Sequence, residues 1–104
     1  MDIYPKFILE VDDEQGLCLI ISKCTYHKEL VTDETKVRGG GWFTIKDKVM
    51  TFYGDSSDFG EAKLEDIKEA IDNDNVYTNP YLTDSIAKDY KFMYRTKTEV
   101  ITFN

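Results

Sequence analysis

His27 is the only histidine of the 104-residue chain, so any imidazole chemistry must use it. A neutral imidazole near pH 7 suits a general base, or a nucleophile toward a phosphoryl group. A lone histidine is more often structural or exposed, and both readings stand for His27. A second candidate is the run Tyr53-Gly54-Asp55-Ser56-Ser57-Asp58-Phe59-Gly60, between a strand-like segment and a helical one. Gly54 and Gly60 let the backbone approach a ligand, and Ser56 and Ser57 carry hydroxyl donors. The following helix adds partial positive charge at its N-terminus, where backbone N–H groups can face an anion. The same residues also make an ordinary strand-to-helix connection. Asp55 and Asp58 would repel phosphate, and an N-cap at Asp58 would occupy amides that a phosphate needs.

Gly39-Gly40-Gly41-Trp42 is the third feature. Three consecutive glycines cost chain entropy, so a fold keeps them where crowding or a positive φ requires it. They read either as a bulge or crossover entering a hairpin, or as room for a substrate beside Trp42. Cys18 and Cys24, the only cysteines, would lie about 20 Å apart on one extended segment. That is beyond disulfide reach, so reduced structural thiols are expected. Two Cys and one His are too few for a zinc centre, and no metal or cofactor is expected.

The formal net charge of −7, with Arg38 and Arg95 the only arginines, argues against direct nucleic-acid binding. Scattered acids serve solubility, or form an acidic surface that captures a basic protein. No apolar run is long enough to span a membrane and no signal sequence follows Met1, so a cytoplasmic protein is expected.

The elements that must position these residues follow from patterning. With 41% apolar residues the chain is expected to fold as one domain, residues 1–104. Residues 6–11 and 17–23 read as strands around the turn-forming cluster Asp12-Asp13-Glu14-Gln15-Gly16. Apolar residues on both faces of the second suggest a central strand. A third strand is expected over 26–31, and a hairpin pairs 41–45 with 49–53. Leu64, Ile67 and Ile71 predict a helix over about 61–72, with Asp58 and Glu61 as a capping box. A helical turn is expected at 83–90 and a final hairpin joins 90–94 to 99–103. The sum is an α+β domain, a mixed or mostly antiparallel sheet with one principal helix.

Three glycines, a hairpin strand, then Tyr53-Gly54-x-Ser56-x-x-Phe59-Gly60 and a helix containing Ala62 resemble the janus/ocnus family, mainly over residues 39–71. The resemblance implies a janus-like fold around a mixed sheet and a phosphohistidine phosphatase-like activity. On its motif, Ser56 falls on the loop serine and Gly54 and Gly60 on the flanking glycines, with Ser57 beside them, as the phosphate-binding set. His27, in Thr25-Tyr26-His27-Lys28-Glu29, is similar to the family's catalytic histidine. Trp42, Lys23 and Lys28 would then contact the substrate, a phosphorylated protein or a small phosphoamidate. The competing expectation is a non-enzymatic binding module of regulatory, immunity or inhibitor type, which keeps the fold and binds a basic protein partner.

Overall fold

A computed structural model of the chain describes residues 4–24, 27–78 and 90–103. Seven strands form one mixed sheet: β1 (Tyr4–Asp12), β2 (Gly16–Cys24), β3 (Val37–Lys46), β4 (Val49–Tyr53), β5 (Val76–Thr78), β6 (Lys91–Arg95) and β7 (Val100–Phe103). Their order across the sheet is β5-β2-β1-β3-β4-β6-β7. The pairs β2–β5 and β4–β6 are parallel, and the other neighbours are antiparallel. A single α-helix, α1 (Leu64–Asp72), is present among the described residues. The expected α+β architecture is therefore the one observed. No described helix is long and apolar enough to cross a membrane.

Local chemistry makes the hairpins. The Asp12 carboxylate accepts the amides of Glu14 at 2.8 Å and Gln15 at 3.0 Å, and Gly16 closes the turn at φ +80. Asp47 and Lys48 both take positive φ, 52° and 63°, which matches a two-residue turn to the twist of β3 and β4.

Strand alternation then sorts the sheet into two faces. One carries Phe7, Leu9, Leu19, Ile21, Phe43, Met50, Phe52, Phe92 and Phe103, all buried, under Ile67 and Ala70 of α1. Phe52 sits at the centre, edge-on to Phe7 with centroids 5.1 Å apart and stacked on Phe92 at 6.5 Å. The other face carries Lys6, Ile8, Glu10, Cys18 and Ser22, covered by the segment 27–36.

Two expected elements differ. The strand over 26–31 is not formed; His27–Leu30 is a 3₁₀ turn lying against β1 and β2. The β1–β2 hairpin is already flanked, β2 by β5 and β1 by β3, so the segment does not join the sheet beside it. Glu10 draws the segment onto the sheet instead, accepting the amides of Thr32 at 2.9 Å and Asp33 at 3.1 Å together with the Thr32 hydroxyl.

The helix also starts later than the expected 61, at Leu64, and Asp58 caps nothing there: the N-cap position is Lys63. The capping box fails because residues 60–62 are used by the sheet. Glu61 bridges Gly40 in parallel, and the Gly40 amide donates to the Gly60 carbonyl at 3.1 Å. Beyond the end of β4 the returning chain thus takes the place beside β3. The expected helical turn at 83–90 lies outside the described residues up to 89.

Candidate functional site

The site is organised by three missing side chains. A Cβ at Gly39, where φ is +122, would lie 2.6 Å from the Glu61 carbonyl oxygen. At Gly40 it would meet the Phe7 carbonyl oxygen at 2.7 Å and His27 Cδ2 at 3.3 Å. At Gly41 it would meet the Tyr53 carbonyl oxygen at 2.7 Å and the Phe7 ring at 2.9 Å. The room left by the glycines is filled by the chain's own atoms: the returning segment, the imidazole and a core phenylalanine. Of the two readings of the triple glycine, crowding at a crossover is what the packing displays.

His27 enters from the 3₁₀ turn and is only 6% exposed. Its Nε2 lies 2.7 Å from the Gly41 carbonyl oxygen. A carbonyl can only accept, so Nε2 carries the proton and donates it, leaving Nδ1 as the unprotonated nitrogen. The ring stands edge-on to Trp42, centroids 6.1 Å apart. Burial pushes the imidazole pKa below its ordinary 6.5, and the charge of Lys6 acts in the same direction. The bond to Gly41 and the carboxylates of Asp58 and Asp55 oppose that shift. The net effect is a neutral imidazole at pH 7 with its tautomer set by the backbone.

The loop after β4 is a closed ring fastened to the same stretch of β3. Ser56 and Gly60 exchange backbone hydrogen bonds at 3.1 and 2.8 Å, and Gly60 accepts from Gly40. The Ser56 hydroxyl oxygen accepts the amides of Asp58 and Phe59, each at 3.3 Å, and Ser56 is 2% exposed. Its side chain is thus engaged within the loop. Gly54, at φ +72, passes so close to Trp42 that a Cβ would lie 2.9 Å from Cδ1 of the indole. Gly54, Asp55, Ser57, Asp58 and Gly60 are exposed.

Of the residues singled out from the sequence, His27, Trp42, Gly54 and Gly60 are brought together through Gly40 to Trp42. Ser56 closes the loop from within, and Ser57 faces outward. The side chains of Lys23 and Lys28 lie outside the described residues. Cys18 is a buried free thiol whose pKa is raised by burial and by the nearby charges of Asp12 and Glu10, which makes it a poor nucleophile. Among the described residues no group of three His, Cys, Asp or Glu side chains is placed to hold a metal ion.

Sequence reasoning missed a row of side chains across the second face. Register sets Lys6 opposite Trp42, Trp42 opposite Tyr53, and Tyr53 beside Arg95. Lys6 Nζ lies 4.4 Å from the Trp42 ring centroid, and the Arg95 guanidinium carbon 4.3 Å from that of Tyr53. Each cation is thus held over an aromatic face, worth about 0.5–2 kcal/mol depending on desolvation. The positions alternate correctly within each strand, but their meeting depends on long-range register that no local pattern carries.

The His27 environment predicts a specific acid sensitivity. A lowered folded pKa means that the unfolded chain binds more protons below about pH 6.5, so stability present above 6.5 is lost as pH falls toward the folded value. Asp12 and Asp33, whose pKa values are lowered from 3.8 chiefly by hydrogen bonds from Glu14 and Thr35, add their own losses only below about pH 3.8. His27→Gln retains an N–H donor for Gly41 and removes the titration. Its urea midpoint should change less between pH 7 and 5 than that of the wild type, while the two converge in steepness below pH 4. A wild-type midpoint that is flat from pH 7 to 5 would contradict this environment.

No family model, curated protein or solved structure matches the chain.

Proposed function

We propose that this chain is a small cytoplasmic janus-like protein that hydrolyses a phosphoamidate bond, as in phosphohistidine, on a protein or a small molecule. One observation carries the reading: the bond that His27 Nε2 donates to the Gly41 carbonyl, 2.7 Å long, sets the tautomer of the buried imidazole and leaves Nδ1 as its basic nitrogen. In this reading Nδ1 activates water or attacks phosphorus, and the amides of Asp55 and Ser57, on a loop whose amides at 56, 58, 59 and 60 bond within it, donate to the phosphoryl oxygens. Ser56 holds that loop in shape through the amides of Asp58 and Phe59. The test is release of phosphate from a phosphohistidine-containing peptide by purified protein. Release above the buffer rate that is lost in His27→Gln supports the reading, and wild-type protein that releases nothing above buffer defeats it.

A second reading is favoured by two other observations, the 6% exposure of His27 and the exposed carboxylates of Asp55 and Asp58 on the loop. In it the chain keeps the fold as a non-enzymatic acidic module for a basic protein partner. Association would then weaken steeply with salt and be indifferent to His27→Gln.

A further inference from the structure

The chain offers a concave site at the carboxyl ends of the parallel strands β4 and β6. Ligands of open sheets characteristically bind outside the carboxyl ends of parallel strands. Tyr53 and Arg95 are the last residues of these two strands and lie side by side in register. Beyond them the chain diverges, into loop 54–60 on one side and the turn 96–99 on the other. A cleft of about 580 Å³ opens between, lined by Tyr53, Gly54, Asp55, Glu61, Arg95 and Lys97 among others.

The walls are built rather than incidental. The turn is closed by Thr96, whose amide donates to the Glu99 carbonyl at 2.9 Å and whose hydroxyl oxygen accepts the amide of Glu99 at 3.1 Å. Arg95 lies over the face of Tyr53, which orients the plane of the guanidinium and leaves its N–H edges available. Neither Arg95 nor Lys97 pairs with a carboxylate among the described residues, although the chain carries a net charge of −7. Glu61 also lines the cleft, its Oε1 3.2 Å from the Tyr94 hydroxyl oxygen, and Asp55 is exposed.

Arg95, Lys97, Asp55 and Glu61 thus line one cleft, with no ion pair between them. A simple dianion would gain from Arg95 and Lys97 and lose against Asp55 and Glu61; a simple amine meets the reverse. The ligand that satisfies both pairs carries both charges. We infer that this cleft binds a small oxyanion–ammonium zwitterion, with the oxyanion on Arg95 and Lys97 and the ammonium toward Asp55 and Glu61. His27 lines no part of the cleft, so the inference shares Gly54 and Asp55 of loop 54–60 with the hydrolytic reading but does not depend on His27.

Phosphoethanolamine and β-alanine are suitable probes, one presenting a phosphoryl and the other a carboxylate oxyanion. Inorganic phosphate and ethanolamine are the single-charge controls. Titration of the isotopically labelled full chain should shift the amide resonances of Gly54, Asp55 and residues 95–98 with at least one zwitterion, more tightly than with either control. Arg95→Gln, at an exposed position, should weaken that binding by about tenfold to a hundredfold, as expected for loss of hydrogen bonds to a charged group. Asp55→Asn should weaken the zwitterion while sparing inorganic phosphate, and a thermal melt of each variant checks that the fold is kept. Whichever zwitterion binds more tightly identifies the oxyanion. Inorganic phosphate binding as tightly as both zwitterions, shifts that survive Arg95→Gln, or no localised shift overturns the inference.

Discussion

Gly39→Ala is expected to be among the most damaging single-methyl additions the chain can suffer. At φ +122 an L side chain is strained wherever it stands, a cost of about 1–3 kcal/mol. The added Cβ would in addition lie 2.6 Å from the Glu61 carbonyl and 2.9 Å from the Ala62 backbone. Those atoms cannot swing aside as a side chain would, because Glu61 bridges Gly40 and the Ala62 carbonyl accepts the Tyr94 hydroxyl at 2.8 Å. Overpacking of this kind costs roughly a further 1–3 kcal/mol. Against a total stability of about 5–15 kcal/mol, a large part of the folded-state margin is at stake. Gly60→Ala is the matched control: its φ is +79, yet a Cβ there meets nothing within 4 Å. Only the backbone term applies, about 1–2 kcal/mol. Urea midpoints should therefore fall clearly further for Gly39→Ala than for Gly60→Ala. Equal losses would mean that the 60–62 segment does not press on β3 as described.

The same crossover marks where sequence patterning stops being sufficient. Both N-terminal strands, the 41–53 hairpin and the C-terminal hairpin are legible because period-two alternation and turn residues act within a few positions of each other. Asp12, Gly16 and Asp47 do locally what their residue types favour, whereas Lys48 takes a positive φ against its own preference. The helix start at Leu64 is not legible. Asp58-x-x-Glu61 has the spacing of a capping box, but the sheet position beside Gly40 claims Glu61 first, and tertiary pairing overrides local propensity. His27–Leu30 fails as a strand for a related reason: β1 and β2, against which it lies, each already have a strand on both sides. The parallel pairs β2–β5 and β4–β6 join segments far apart in sequence, so nothing local announces that Arg95 will stand beside Tyr53. At the site the sequence offered the right residues, His27, Trp42 and the two loop glycines. It could not say that Ser56 would turn inward to accept two amides, nor that Lys6 would lie over Trp42.

Under the hydrolytic reading, His27→Gln is expected to lower phosphate release by about 10²–10⁴-fold, the usual range for loss of a positioned general base. The substitution isolates chemistry from architecture. A glutamine carboxamide still offers an N–H to the Gly41 carbonyl, so the bond that ties the 3₁₀ turn to β3 can be kept. What it lacks is a basic nitrogen in place of Nδ1. The pH profile supplies a signature that a merely structural histidine would not give. The base must be neutral to act, and burial holds its pKa below 6.5, so the wild-type kcat/KM should retain more than half of its plateau at pH 6.5. An unperturbed histidine would already be half protonated there. Asp55→Asn and Asp58→Asn remove charges that favour the imidazolium, and should move that acid limb to still lower pH. The pair of shifts ties the titrating group to the loop: only a base electrostatically coupled to Asp55 and Asp58 responds to both. A profile unchanged by either substitution would separate His27 from the reaction, even in a protein that proved to be active.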